Sequence, residues 1–570
     1  MKRPNDPSDA LPSHITRMLE RWVELMEPHY GASGSMDLDL VLYPEAEGPS
    51  HFNQFAHYLL LLLSEGGIAS NASLRKRAHW RRLALRNIHS ILDIAGNDFR
   101  VPCFSRGKSW GRIHGDWMLF FLHRSQALIN KRNLGTRAFR SRLEAMLRGG
   151  VRSAFEEFRG QHDTEMRSDN ARFPGNHAAW FATLFYEVGK AWGEQSYVRF
   201  ARAFFRKLVL PSQGEDGFWP EGGGIVAVYG MVTAQAVSLY AEASGDKTAV
   251  AAVGRFFQAY RRLTFPDLSV SCVADCRMVY RRSPCLILPG LFPAFEGGAA
   301  FCVESILACE NWYRREPLQD NDAQMAAFFA VFAASLAHGK SPPVRRPPPI
   351  VWKDVATIER AGWKGLLSTQ LNEGTSSRWT LDAQNFLDLW HADSGLIVGG
   401  GNSKYGPLLS TFRQPGGSRA FTPTAARILE SSRERAVAEY VFGKDVIQVT
   451  LCLSEHGAEI SMQTRKNSCS LEAAVILLAS KEDVLRLTDG RSFRINPEEL
   501  LELNFSAACR EMTLRGVNLV VPENARLTYP VHVWNPYTPT SLGGAVRARL
   551  AWPLSAQKTT LRFLWRGSFC

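Results

Sequence analysis

The chain has 570 residues, too many for one ordinary core at roughly 100–200 residues per domain. Its hydrophobic fraction of 45% and charged fraction of 21% exclude a chain disordered throughout, a collagen-like repeat and a polytopic membrane protein. Lysine plus arginine number 67 against 55 acidic residues, a formal charge of +12. The excess is spread without a basic block, which argues against a nucleic-acid arm and fits either a plain basic surface or an enzyme with an anionic substrate.

From the N-terminus, the charged stretch Met1 to Trp22 has no apolar segment of signal-peptide type, so a cytoplasmic location is expected. The run from Tyr58 to Leu63 is too short to span a bilayer, and no membrane partner is expected. Apolar residues at i, i+3, i+4 spacing predict helices near 13–27, 52–66, 73–95, 116–131, 136–159, 176–192, 196–209, 225–243, 247–262, 300–314 and 322–338. Such a succession suggests antiparallel hairpins arranged as an α/α toroid. The stretch from Pro266 to Phe295 breaks the pattern and reads as a strand-like excursion or long loop.

The proline-rich segment 339–350 reads as a stiff linker, because proline removes backbone donors and favours extended chain. Beyond it, short β-rich runs alternate with turns, as at Ala438–Phe442, Val446–Leu453, Glu459–Thr464, Val517–Val521 and Thr559–Leu564. The expected organisation is a toroid over 1–338, the linker over 339–350 and an antiparallel β-sandwich over 351–570. The ten cysteines include no CxxC pair, so they read as reduced, buried thiols and no metal site is expected.

Three segments carry residues suited to chemistry. In Phe173-Pro-Gly-Asn176-His177, a loop ends where a helix begins. Asn176 has an amide able to hold a carboxylate, and His177 an imidazole able to share a proton. The structural alternative is that Asn176 only caps the helix. Asp216-Gly-Phe-Trp219-Pro-Glu221 precedes a helix opening with Tyr229. Trp219 is placed to stack on a sugar, and Tyr229 lies about one helix pair beyond the Asn-His pair; the alternative for Tyr229 is a core aromatic. In the β-region, Trp390-His391 adjoins a glycine-rich turn that lacks the phosphate-loop pattern, so an ordinary strand and turn is the alternative there. Trp110, His114, Trp117, Arg172 and Arg282 are lesser substrate-binding candidates, with Trp219 and Glu221.

This constellation resembles the heparinase II/III-like and alginate-lyase-like polysaccharide lyases. The resemblance of architecture extends over nearly the whole chain. The resemblance of motif rests on Asn176-His177, the Asp216-Gly217 to Tyr229 segment and, more weakly, His391. It implies that Asn176 and His177 act as carboxylate neutraliser and base, Tyr229 as acid and His391 as an assisting histidine. The Phe-Trp-Pro after Asp216-Gly217 departs from the serine-rich version common in these families. The activity implied is β-elimination on a uronic-acid glycan or oligosaccharide, a step that requires no metal or other cofactor. Two further readings remain: a glycoside hydrolase using Asp216 and Glu221, and a non-catalytic glycan-binding relative.

Overall fold

The computed structural model describes residues 7–565, apart from 43, 67, 69, 106–107, 169–171, 222–223, 278–283, 320, 339–344, 372–383, 400–406, 415–421, 466–470, 481–482 and 532–544. The chain forms two compact units. One comprises 1–219, 228–258 and 283–349, and the other 220–227, 259–282 and 350–570. The division differs from the expected pair of sequential blocks, because two segments of the helical half cluster with the β-strands. Hydrogen bonds internal to the second unit explain this. Lys364 Nζ donates to Thr264 O at 2.8 Å, and Ser271 Oγ donates to the buried Asp388 carboxylate at 2.6 Å.

The helices are α1 (Pro7–Met26), α2 (Leu38–Leu42), α3 (Ala56–Glu65), α4 (Leu74–Ile94), α5 (Asp116–Arg132), α6 (Arg137–His162), α7 (Asn176–Trp192), α8 (Gln195–Phe204), α9 (Ala227–Ser244), α10 (Lys247–Leu263), α11 (Gly298–Trp312) and α12 (Asp322–His338). Local chemistry sets several ends. Ser73 and Thr136 accept the Lys76 and Phe139 N–H groups, each at 3.2 Å, and so cap α4 and α6. Asn133, at φ 53°, closes α5 in the left-handed conformation that asparagine tolerates. A hairpin of β1 (Val101–Ser105) and β2 (Lys108–Ile113) interrupts the helices and was not anticipated from the sequence.

Helices α3, α5 and α7 each pack on the helix that follows and on one another in turn. The inner helices run parallel. Trp180 Nε1 of α7 donates to Val232 O of α9 at 2.9 Å, and Thr183 Oγ1 donates to Ala236 O at 3.1 Å, across 52 and 53 residues respectively. Both numbers rise together along the two helices, which fixes their common direction. The same holds for α5 and α7, where Phe120 meets Trp180 at 5.0 Å between ring centroids and Arg124 clamps Glu187 at 2.8 and 2.5 Å. Phe328 of α12 closes the aromatic core against Trp117 and Trp180. This is the α/α toroid.

The second unit holds two nine-stranded antiparallel sheets among the described residues, a β-sandwich. Strand Asp445–Leu453 shows why: Ile447, Val449, Leu451 and Leu453 are buried, while the residues between them are partly exposed. Tyr440, fully buried in one sheet, donates its hydroxyl to Ser368 O of the other at 2.6 Å. Among the described residues no helix is long and apolar enough to cross a membrane.

Candidate active site

Because α5, α7 and α9 are parallel, their first turns lie at one end of the helical unit. Gly175 precedes α7 at φ 98°, a conformation that favours glycine, and it rather than Asn176 is the N-cap residue. Asn176 is therefore the first helical residue and is 3% exposed. His177 follows with 55% of its side chain exposed.

Asp116 opens α5, and its carboxylate is almost buried. His177 Nδ1 stands 3.1 Å from both of its oxygens. Since a carboxylate only accepts, Nδ1 carries the proton of the neutral ring and Nε2 the basic lone pair. Trp117 lies under the imidazole, with centroids 4.4 Å apart and planes inclined by 33°. Phe52 and Phe55 in turn press their edges on Trp117. The pair thus has an anionic orienter on one side and an aromatic floor beneath.

Tyr229 lies in the first turn of α9 and is half-buried. Its level follows from the register of α7 and α9. The 52-residue separation that joins Trp180 to Val232 also separates His177 from Tyr229, three residues nearer the helix starts in both cases. Packed helices sit about 8–10 Å apart, so the two residues lie at one level on neighbouring helices.

Three substrate-binding expectations are corrected. Trp219 is 1% exposed, and its indole N–H donates to Val209 O at 2.8 Å, so it is a core residue and not a stacking platform. Trp117 is 4% exposed and supports His177 from below. The enclosed side chain of His114 has Nε2 at 3.1 Å from Ser153 Oγ, holding the loop before α5 to α6. Trp110 stands 58% exposed on β2, and Arg172 is exposed in the loop before α7. Glu221 is half-buried, with its backbone N–H donated to Gly224 O at 2.8 Å. Arg282 lies outside the described residues.

His391 belongs to the β-sandwich unit. Its ring is held between Trp363 and Trp565, both with centroids 4.5 Å away, and Nδ1 accepts the Asp393 N–H at 3.3 Å. Burial lowers its pKa. The pairing of Asp116 with His177 was missed from the sequence. A second histidine, His51, was missed altogether. It packs edge-on to Phe52 and Phe55, and burial, helped by the nearby His177, pushes its pKa down to about 3. Among the described residues no group of three or more His, Cys, Asp or Glu side chains is arranged to hold a metal ion.

No protein-family model matches the sequence, and no curated protein matches it. Solved structures do. A chondroitinase AC lyase, described with enzyme–oligosaccharide complexes and mutagenesis, is similar over 98% of this chain and 83% of its own, at 10% identity and a TM-score of 0.50. The chondroitin AC lyase of Streptomyces coelicolor A3 in complex with chondroitin sulphate covers 99% of this chain and 81% of its own, at 11% identity and a TM-score of 0.46. A heparinase III covers 98% and 84%, at 9% identity and a TM-score of 0.45. At such identities the likeness is one of fold: the chain has the fold of chondroitinase AC lyase.

Proposed function

We propose that this chain, on a fold shared with chondroitinase AC lyase, cleaves uronic-acid glycans or oligosaccharides by β-elimination. The observation that carries the reading is the Asp116–His177 pair, at the level of Tyr229 on the adjacent parallel helix. Elimination needs a base and an acid at one level of the cleft, and this register offers a candidate for each.

In this scheme the uronate carboxylate is received at the start of α7 by the Asn176 amide, which lowers the energy of the enolate that forms. His177 Nε2 takes the C5 proton. Asp116 holds the ring in the required tautomer and stabilises the imidazolium. The C5 electron pair becomes the C4–C5 double bond as the C4–O4 bond breaks. The Tyr229 hydroxyl gives its proton to the departing O4 and regains one from solvent. The exposed Arg172 and Trp110 are offered as outer contacts for the anionic chain. His391 is left out of the scheme, which is complete within the helical unit.

The hydrolase reading is less well supported. It asks Asp216 to be an acid or base, yet that carboxylate accepts the Phe218 N–H of its own turn at 2.8 Å. The deciding experiment is a panel of alginate, heparan, chondroitin and hyaluronan fragments, read by the ultraviolet absorbance of an unsaturated product. Absorbance growing with time on one class of uronate glycan supports the proposal. Folded protein that yields no unsaturated product on any of them ends it, and reducing sugar without absorbance favours hydrolysis.

A further inference from the structure

His51 has no part in the scheme above, and its surroundings are unusual for a histidine of the interior. It lies in a short 3-10 turn, His51–Phe55, ahead of α3, and is 4% exposed. Two other enclosed histidines of the helical unit have partners: His57 Nδ1 meets Ser125 Oγ at 2.9 Å, and His114 Nε2 meets Ser153 Oγ at 3.1 Å. Their second nitrogens, His57 Nε2 and His114 Nδ1, are sealed from solvent. For His51 no hydrogen bond from either nitrogen to a described residue is seen, and the residue keeps 4% of its surface exposed.

Gly115 adds a second, independent observation. It occupies the N-cap of α5, where Ser, Thr, Asp or Asn is usual, and no side chain caps that end. Its φ of −78° and ψ of 118° suit any residue, so backbone conformation does not call for glycine. Space does. A Cβ at this position would stand 2.7 Å from His51 Nε2. Glycine here lets the chain directly before Asp116, the partner of His177, pass close to His51 Nε2.

We infer that His51 is a substrate-contacting residue of this site, a neutral imidazole that hydrogen-bonds a sugar hydroxyl beside the His177–Asp116 pair. The inference rests on the proposed lyase function and deepens it. With its pKa lowered by burial and by the neighbouring His177, His51 stays uncharged at working pH. It therefore does not compete for the uronate carboxylate. A neutral ring with one donor and one acceptor matches a hydroxyl, and an imidazole left without a partner is satisfied only when the sugar arrives.

The test compares wild type with His51→Leu, His51→Gln, His51→Asn and Gly115→Ala, measuring elimination kinetics and calorimetric binding of intact chondroitin and heparan fragments. His51→Leu is expected to raise KM about tenfold with a smaller change in kcat, by an amount independent of pH. His51→Gln, whose amide nitrogen reaches the place of Nε2, is expected to restore most of the loss, and His51→Asn less. Gly115→Ala, whose Cβ would crowd the His51 ring, is expected to weaken binding and to lower the melting temperature somewhat. If wild type eliminates and folded His51→Leu matches it, the inference falls while the lyase reading stands. If wild type binds fragments without eliminating, the reading falls, and the dissociation constant of His51→Leu still decides the contact. Binding of no fragment by wild type ends both. Equal losses in all three His51 variants, in step with lower melting temperatures, make His51 a packing residue and overturn the inference.

Discussion

His177 Nδ1 is equidistant, at 3.1 Å, from the two carboxylate oxygens of Asp116, although 61 residues separate them in the chain. An acceptor-only group at that nitrogen fixes the tautomer and leaves the basic lone pair on Nε2. Asp116→Asn keeps the shape but offers an amide in place of the anion. On an active substrate it is expected to lower kcat by about 10²–10⁴-fold while the protein stays folded, as steady-state rates and circular dichroism would reveal. Unchanged kcat would remove Asp116 from the mechanism.

Tyr229 supplies the matching prediction on the other helix. Tyr229→Phe removes one oxygen from a half-buried ring and leaves its packing. The expected result is a loss of about 10²–10⁴-fold in kcat, with KM less affected. A variant that turns over like wild type, measured on the same fragment, shows that another group protonates the leaving oxygen.

The two tryptophans once grouped as sugar platforms are expected to behave in opposite ways. Trp219→Ala empties a sealed site and breaks a hydrogen bond to Val209 O, at a cost of about 3–5 kcal/mol in chemical denaturation. Trp110→Ala removes a 58% exposed ring and should change stability by less than about 0.5 kcal/mol. If Trp110 meets the glycan, its loss weakens fragment binding at constant stability.

Asp388 predicts a pH dependence of stability. Burial pushes its pKa from 3.8 up to about 7, against the opposing hydrogen bond from Ser271. The folded state therefore holds this proton more tightly than the unfolded chain does. The resulting stabilisation is full below pH 3.8 and is lost as pH rises to about 7. Asp388→Asn cannot titrate, so its melting temperature should fall less than that of wild type between those limits. Parallel curves for the two proteins would contradict this.

Apolar spacing made the helices readable, because a buried stripe repeats with the helical turn. Alternation did the same for Asp445–Leu453. The β1–β2 hairpin escaped because Lys108, Ser109, Trp110 and Gly111 are all exposed and show no alternation. Asn176, His177 and Tyr229 stood out by type and by position at helix starts. The Asp116–His177 pairing did not, since it exists only once α5 and α7 are packed in register. Trp219 misled for a related reason: beside glycine and proline an aromatic reads as exposed, and nothing local announces that Val209 O waits for its N–H.

The common direction of α5, α7 and α9 has a consequence beyond the placing of side chains. Peptide dipoles point the same way along a helix, leaving roughly half a positive charge at each start. Three such ends side by side make a field of one sign, written in the main chain. No single substitution abolishes it, whereas added salt screens it. Capture of an acidic polymer should accordingly weaken with ionic strength even in variants whose reactive groups have been removed.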